Sequence, residues 1–161
     1  MVLTMFIAPA ILLGDNSAID SQKLLIALDT DDWSAVELTR PKIDNSKEPI
    51  VPLREIMNIE KEAIMVGFLM ACAIEWEDYY LAFMQTARRK ENWSQKQIAF
   101  IGQYFGANQQ VYYSRLKGNF LCDESTKLRV KEIKSARLGD FNYDVKRLKA
   151  HLAQRADGDR G

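Results

Sequence analysis

The chain has 161 residues, 47% of them hydrophobic and 27% charged, which is ordinary usage for one globular domain and excludes a disordered or collagen-like class. Its 22 basic and 22 acidic residues balance to zero net charge, which argues against a dedicated nucleic-acid binder, since such a protein usually carries a basic excess. The signs are nevertheless segregated: residues 1–86 hold 6 Lys/Arg against 14 Asp/Glu, and residues 87–155 hold 15 against 6. Such a split either docks one half on the other or offers the basic half to an acidic partner. The neutral total favours internal docking.

Residues 1–18 are apolar from Val2 to Leu13 and then turn polar. That run is too short to span a bilayer and matches the apolar stretch of a signal peptide, with Ala18 as the cleavage residue. No Lys or Arg precedes it, so a retained apolar segment stands as the other reading, with a cytoplasmic location. Export, for instance to a periplasm, is the expectation. Residues 19–52 form an irregular N-terminal extension. Within it, SQKLLIALDTDDWSAVEL reads as two short helices, with Asp31 or Asp32 capping the second, or as a strand pair, and Thr39 to Pro52 carries three prolines and reads as a linker.

Residues 53–155 are expected to be a helical domain. A first long helix runs from about residue 55 to 90 and ends in TARRK, whose cations suit the negative end of a helix. The second spans 94–117: Ser94 is its N-cap, Gln97 completes a capping box, and Trp93 can staple onto Ile98. Gly118 is placed to stop it in a left-handed cap. Asp123 caps a third helix that ends near Leu138 and Gly139. Asp140 or Asn142 caps a fourth, striped by Phe141, Val145, Leu148 and Leu152 and reaching Arg155. Residues 156–161 should fray. The predicted fold is all-α and bundle-like: an antiparallel helical hairpin, two shorter C-terminal helices, and an irregular N-terminal region.

The stretch AIEWEDYYLAFM, residues 73–84, interrupts an apolar run with Glu75, Glu77 and Asp78. On one continuous helix, Gly67, Ala71, Glu75, Asp78 and Ala82 share a narrow face while Glu77 points away. The second helix has a matching face in Ala99, Gly102, Gly106 and Tyr113. Antiparallel register sets Ala82 against Gly102, Asp78 against Gly106 and Glu75 against Gln109. The pattern predicts a polar seam of Glu75, Asp78, Asn108, Gln109 and Arg115 between closely packed helices. The competing reading is a carboxylate-based enzyme using Glu75 and Asp78. No nucleophile motif, P-loop or dinucleotide fingerprint accompanies them, and the single histidine, His151, leaves a transition-metal cluster short of ligands. No cofactor is indicated.

Aromatic residues crowd the hairpin. Ile98, Ile101, Phe105, Tyr112 and Leu116 make one core face of the second helix. Phe100, Tyr104 and Val111 form another strip, to be covered by the rest of the chain or by a partner, and together with Trp76 and Tyr80 they are the candidate partner-binding residues. Cys72 and Cys122 are in no metal-binding spacing. The hairpin register brings them to comparable levels, so a disulfide is sterically conceivable and would contribute about 4 kcal/mol; two buried thiols in a reducing compartment are the alternative. Lys127, Lys131 and Lys134 lie within one arc of the third helix, a basic patch for nucleic acid or an anionic surface if it does not dock the acidic half.

A helical hairpin stapled by two cysteines about fifty residues apart and followed by a basic helix resembles the small periplasmic acid-stress chaperones. The resemblance implies chaperone-like binding through pH-dependent apolar surface; the N-terminal extension departs from that pattern. The reading as a whole is a non-enzymatic, exported helical protein that binds a protein partner, or a second copy of itself, through the aromatic hairpin. A periplasmic chaperone or an immunity-type binding protein is a variant of that reading. A small-molecule ligand stays open.

Overall fold

The computed structural model describes residues 20–36, 38, 50–90 and 92–141. Every regular element among them is helical: α1 (Ser21–Thr30), α2 (Leu53–Ala71), α3 (Glu77–Lys90), α4 (Gln95–Lys117) and α5 (Glu124–Asp140). The expected leader over 1–18, most of the proline-bearing linker, the fourth C-terminal helix with His151, and the tail lie outside the described residues.

Local chemistry starts and stops these helices where side chains reach the backbone. The Asp20 carboxylate accepts the Lys23 N–H at 3.1 Å and caps α1, whose Leu24, Leu25, Ala27 and Leu28 are buried. The second N-terminal helix is not formed over residues 31–36. There the Asp32 carboxylate accepts from the Ser34 N–H at 3.0 Å and Asp31 accepts from Trp33 Nε1 at 2.9 Å, local bonds that compete with helix formation. Ser94 and Gln97 complete the capping box of α4, and Asp123 caps α5 through the Thr126 N–H at 2.8 Å. Gly118 does not take the left-handed conformation expected of it: its φ is −92°, and α4 ends instead with the Asn119 and Phe120 N–H groups both donating to the Leu116 carbonyl.

The single first helix expected over about 55–90 is two helices. At its end the Cys72 N–H still reaches Phe68 O at 2.9 Å, but the Ile74 N–H reaches back five residues to Leu69 O at 2.8 Å, and Ala73 takes a φ of 51°. This is a left-handed helix termination made without glycine. The chain reverses over residues 72–76, and α3 begins with Glu77 and Asp78 in its first turn, where negative charge suits the helix dipole.

The reversal sets the topology. Gly102 faces Tyr80 and Met84, and the Tyr80 and Phe83 rings both lie about 5 Å from Phe105, so α3 and α4 form the antiparallel hairpin. Gln97 Nε2 donates to Ile50 O at 2.9 Å at one end, and Gly67 meets Tyr112 and Tyr113 at the other, so α2 runs parallel to α4. α2 is the central element, with Ile59, Ala63, Ile64, Met65, Val66, Phe68 and Leu69 fully buried. Burial on every side is what an apolar surround of this kind produces.

α5 lies antiparallel to α2. Cys72 and Cys122 are joined in a disulfide, with Cα atoms 5.4 Å apart and a sequence separation of 50. Phe68 and Phe120 pack edge to face beside it, with centroids 5.0 Å apart. Ion pairs then carry the contact along the helix: Arg129 to Asp29 at 2.7 Å, Lys134 to Asp78 at 2.7 Å, and Arg137 to Glu62 at 3.2 Å. Each joins the basic C-terminal half to the acidic N-terminal half, the internal docking that the charge segregation implied. Among the described residues no helix is long and apolar enough to cross a membrane.

Candidate functional site

Three settings hold the polar and aromatic residues that could carry function. The first is interior. On α2, Glu60 accepts from the Tyr112 phenol at 2.6 Å, and Glu62 accepts from the Tyr79 phenol and from Arg137 Nη1. Both carboxylates are buried. Desolvation pushes the Glu62 carboxyl above its ordinary value, against the pull of the Arg137 charge and the Tyr79 hydrogen bond. Burial, and then the Glu62 charge, push the Tyr79 phenol well above its usual range. Burial and the Glu60 charge lift Tyr104 to about 12. These groups bond α2 to α3, α4 and α5, which is structural work. Sequence reasoning missed Glu60 and Glu62, whose place beside Lys61 reads as a charged, solvent-facing stretch. The available signal was a surplus of tyrosine hydroxyls on the facing helices, each needing a buried acceptor.

The second setting is the expected polar seam, and its members do not meet as one. Because the chain leaves the helix at Cys72, Glu75 lies in the turn and is exposed, and its carbonyl accepts from Lys134 Nζ at 2.7 Å. Asp78 pairs with Lys134 on α5 instead of facing Gly106, and a β-carbon at Gly106 would meet nothing within 4 Å. Asn108 is buried and donates to Tyr104 O at 2.8 Å, four residues back on its own helix. Gln109 Oε1 is buried without a hydrogen-bond partner among the described residues. Arg115 is half-buried, and its carbonyl accepts from Asn119 at 3.4 Å. The basic patch is likewise divided: Lys134, only 12% exposed, is engaged with Asp78, whereas Lys131 is exposed and Lys127 half-buried.

The third setting is the surface of the hairpin. Phe100 and Tyr104 stack with centroids 5.7 Å apart and planes 12° from parallel, and helical spacing puts Val111 on the same strip. All three are half-buried. Tyr80 lies on the other flank of α4, its hydroxyl 3.3 Å from where a Gly102 β-carbon would stand. Trp76 is on that second flank too, in an open groove of about 430 Å³ lined by Met70, Ala73, Ile74, Glu75, Trp76, Glu77 and Tyr113. The five aromatic and aliphatic candidates therefore divide between two surfaces.

No family model, curated protein or solved structure matches the chain. The functional argument therefore rests on geometry alone.

The groove owes its form to the α2–α3 reversal. Cys72, held by its bond to Cys122, precedes the left-handed Ala73, and Lys134 ties down the Glu75 carbonyl from α5. Covalent and ionic ties on both sides leave the turn little freedom to rearrange, so its surface is presented preformed. Apolar atoms of Met70 and Ile74, two aromatic rings and two carboxylates are the chemistry it offers. Among the described residues no group of His, Cys, Asp and Glu side chains is disposed to hold a metal ion.

Proposed function

We propose that this chain binds a protein partner, or a second copy of itself, through the groove flank of its helical hairpin, and that it does so in an oxidising compartment after export. The observation that carries the reading is the preformed groove at the disulfide-fixed turn, where Trp76 and Tyr113 stay partly uncovered over an apolar floor. Partly exposed aromatic rings in a rigid frame supply contact area at little entropic cost, which is why such residues anchor protein interfaces. Support for the compartment comes from the Cys72–Cys122 bond, a kind of link that persists where thiols are not kept reduced.

The test is site-directed photo-crosslinking in the native host, with the reactive side chain at Ala73 in the groove or at the exposed Ser135 on α5. The reading expects one dominant adduct from position 73 and not from 135. The adduct's protein component, once identified and purified, should bind the oxidised chain and lose about tenfold or more in affinity to Trp76→Ala. Identical adducts from both positions, or an affinity indifferent to Trp76→Ala, would overturn it.

A further inference from the structure

We infer that the groove at the α2–α3 turn receives an arginine side chain of the partner, with the guanidinium against Trp76 and paired with Glu75 and Glu77; this rests on the protein-binding reading above. Charge is the first argument. Of the acidic side chains on α2, the turn and the start of α3, Glu62 is paired with Arg137 and Asp78 with Lys134. Glu75 and Glu77 are exposed, line the groove, and form no ion pair with any described residue. Two acidic side chains of the N-terminal half thus stand at the surface here, beside aromatic rings.

Shape and chemistry narrow the occupant. Met70 and Ile74 offer apolar contact to an aliphatic stem, while a planar guanidinium can lie on an aromatic face and offer paired N–H donors to a carboxylate. A lysine ammonium has the charge without the plane. The rim already holds one cation: Lys117 Nζ stands 5.8 Å from the Tyr113 ring centroid. Tyr113 is therefore occupied by the chain's own charge, whereas among the described residues no cation stands over the half-buried Trp76 ring, which lines the groove. A rigid turn matters for this role, because the backbone that carries the carboxylates need not be ordered when the partner arrives, and Glu77 already accepts from the Trp76 N–H at 3.3 Å.

The experiment uses the full oxidised chain and a blocked Gly-Arg-Gly peptide as probe, with the matching citrulline peptide as its neutral counterpart. Indole N–H resonances are followed by NMR, the Trp76 signal being assigned from Trp76→Phe. The arginine peptide should shift the Trp76 indole saturably and leave those of Trp33 and Trp93 in place, and E75Q/E77Q should weaken binding on the order of fivefold. Equal binding of the citrulline peptide, or no loss in E75Q/E77Q, overturns the inference. The two proposals fail separately. A partner that crosslinks at Ala73 and binds E75Q/E77Q as tightly as the parent chain removes the arginine and leaves the protein-binding reading. Absence of a position-specific adduct removes the reading itself.

Discussion

Gly67 of α2 packs on Tyr112 of α4 so closely that a β-carbon at Gly67 would stand 2.9 Å from the Tyr112 β-carbon and 3.2 Å from the Tyr113 nitrogen. The same tyrosine sends its phenol to Glu60, one of the buried carboxylates of α2. One α4 residue therefore joins the backbone approach of the two parallel helices to their polar bond.

Gly67→Ala is expected to cost about 1–3 kcal/mol, because the near neighbours include backbone that cannot step aside. Gly106→Ala makes the contrasting case, for its β-carbon would enter open space and the helix would gain up to about 1 kcal/mol from better propensity. Urea midpoints of the two variants should move in opposite directions. A neutral Gly67→Ala would mean that α2 and α4 do not touch there.

Reduction of the Cys72–Cys122 bond, or the C72A/C122A double variant, should lower stability by about 2–5 kcal/mol. Denaturation with and without reductant measures the loss, and alkylation of the unreduced protein followed by intact mass shows whether any thiol was free. Alkylation at either cysteine without reductant would contradict the bond.

The buried carboxyl of Glu62 gives a pH dependence opposite to ordinary acid destabilisation. Its folded pKa lies above the ordinary 4.5, so between those two values the native state holds more of the proton than the unfolded chain does. This group's share of stability thus rises as pH falls from above the folded pKa towards 4.5, and is lost again as pH climbs. Subtracting the stability-versus-pH curve of Glu62→Gln from that of the parent isolates the share. A difference that grows with rising pH across this window would refute the sign.

Lys134 and Asp78 are 12% and 13% exposed, so their pairing is shielded from solvent far more than a surface bridge. Lys134→Met removes the cation beside Asp78, whose carboxylate keeps the Tyr79 N–H, and the donor to the Glu75 carbonyl, and should cost about 1–3 kcal/mol. Combined with Asp78→Asn, the losses should add to less than their sum in a double-mutant cycle. Strict additivity would place the lysine in solvent.

The parts of this fold that could be read from sequence are those set by neighbours along the chain. Ser94, Gln97 and Asp123 cap their helices because the required donors lie three residues ahead, within reach of a short side chain. The break at 72–76 depends on partners far away, Cys122 and Lys134, and the left-handed residue is an alanine, which gives no glycine signal. Hydrophobic periodicity ran straight through it. The acids of EWEDYY could have served as the clue, since acidic residues gather in first turns. Missing the break displaced Glu75 and Asp78 onto a helix face they do not share, although the α3 register against Gly102 came close. Glu60 and Glu62 were hidden for a related reason: charged residues next to Lys61 look solvent-facing until the phenols that meet them are placed.

Adhesion differs from one side of α2 to the other. Towards α4 it is largely apolar and closely fitted around the Glu60–Tyr112 bond, while α5 is held to α2 by the Glu62–Arg137 pair and the Cys72–Cys122 bond, and to α1 and α3 by Arg129–Asp29 and Lys134–Asp78. Added salt weakens the more exposed of those contacts, such as Arg129 with Asp29, and leaves apolar burial intact. Salt should therefore loosen α5 first where it meets α1 at Asp29, while the shielded pairs of Lys134 and Arg137 keep its far end closed. Amide hydrogens around Arg129 would then exchange faster with added salt before those around Lys134 and Arg137 do.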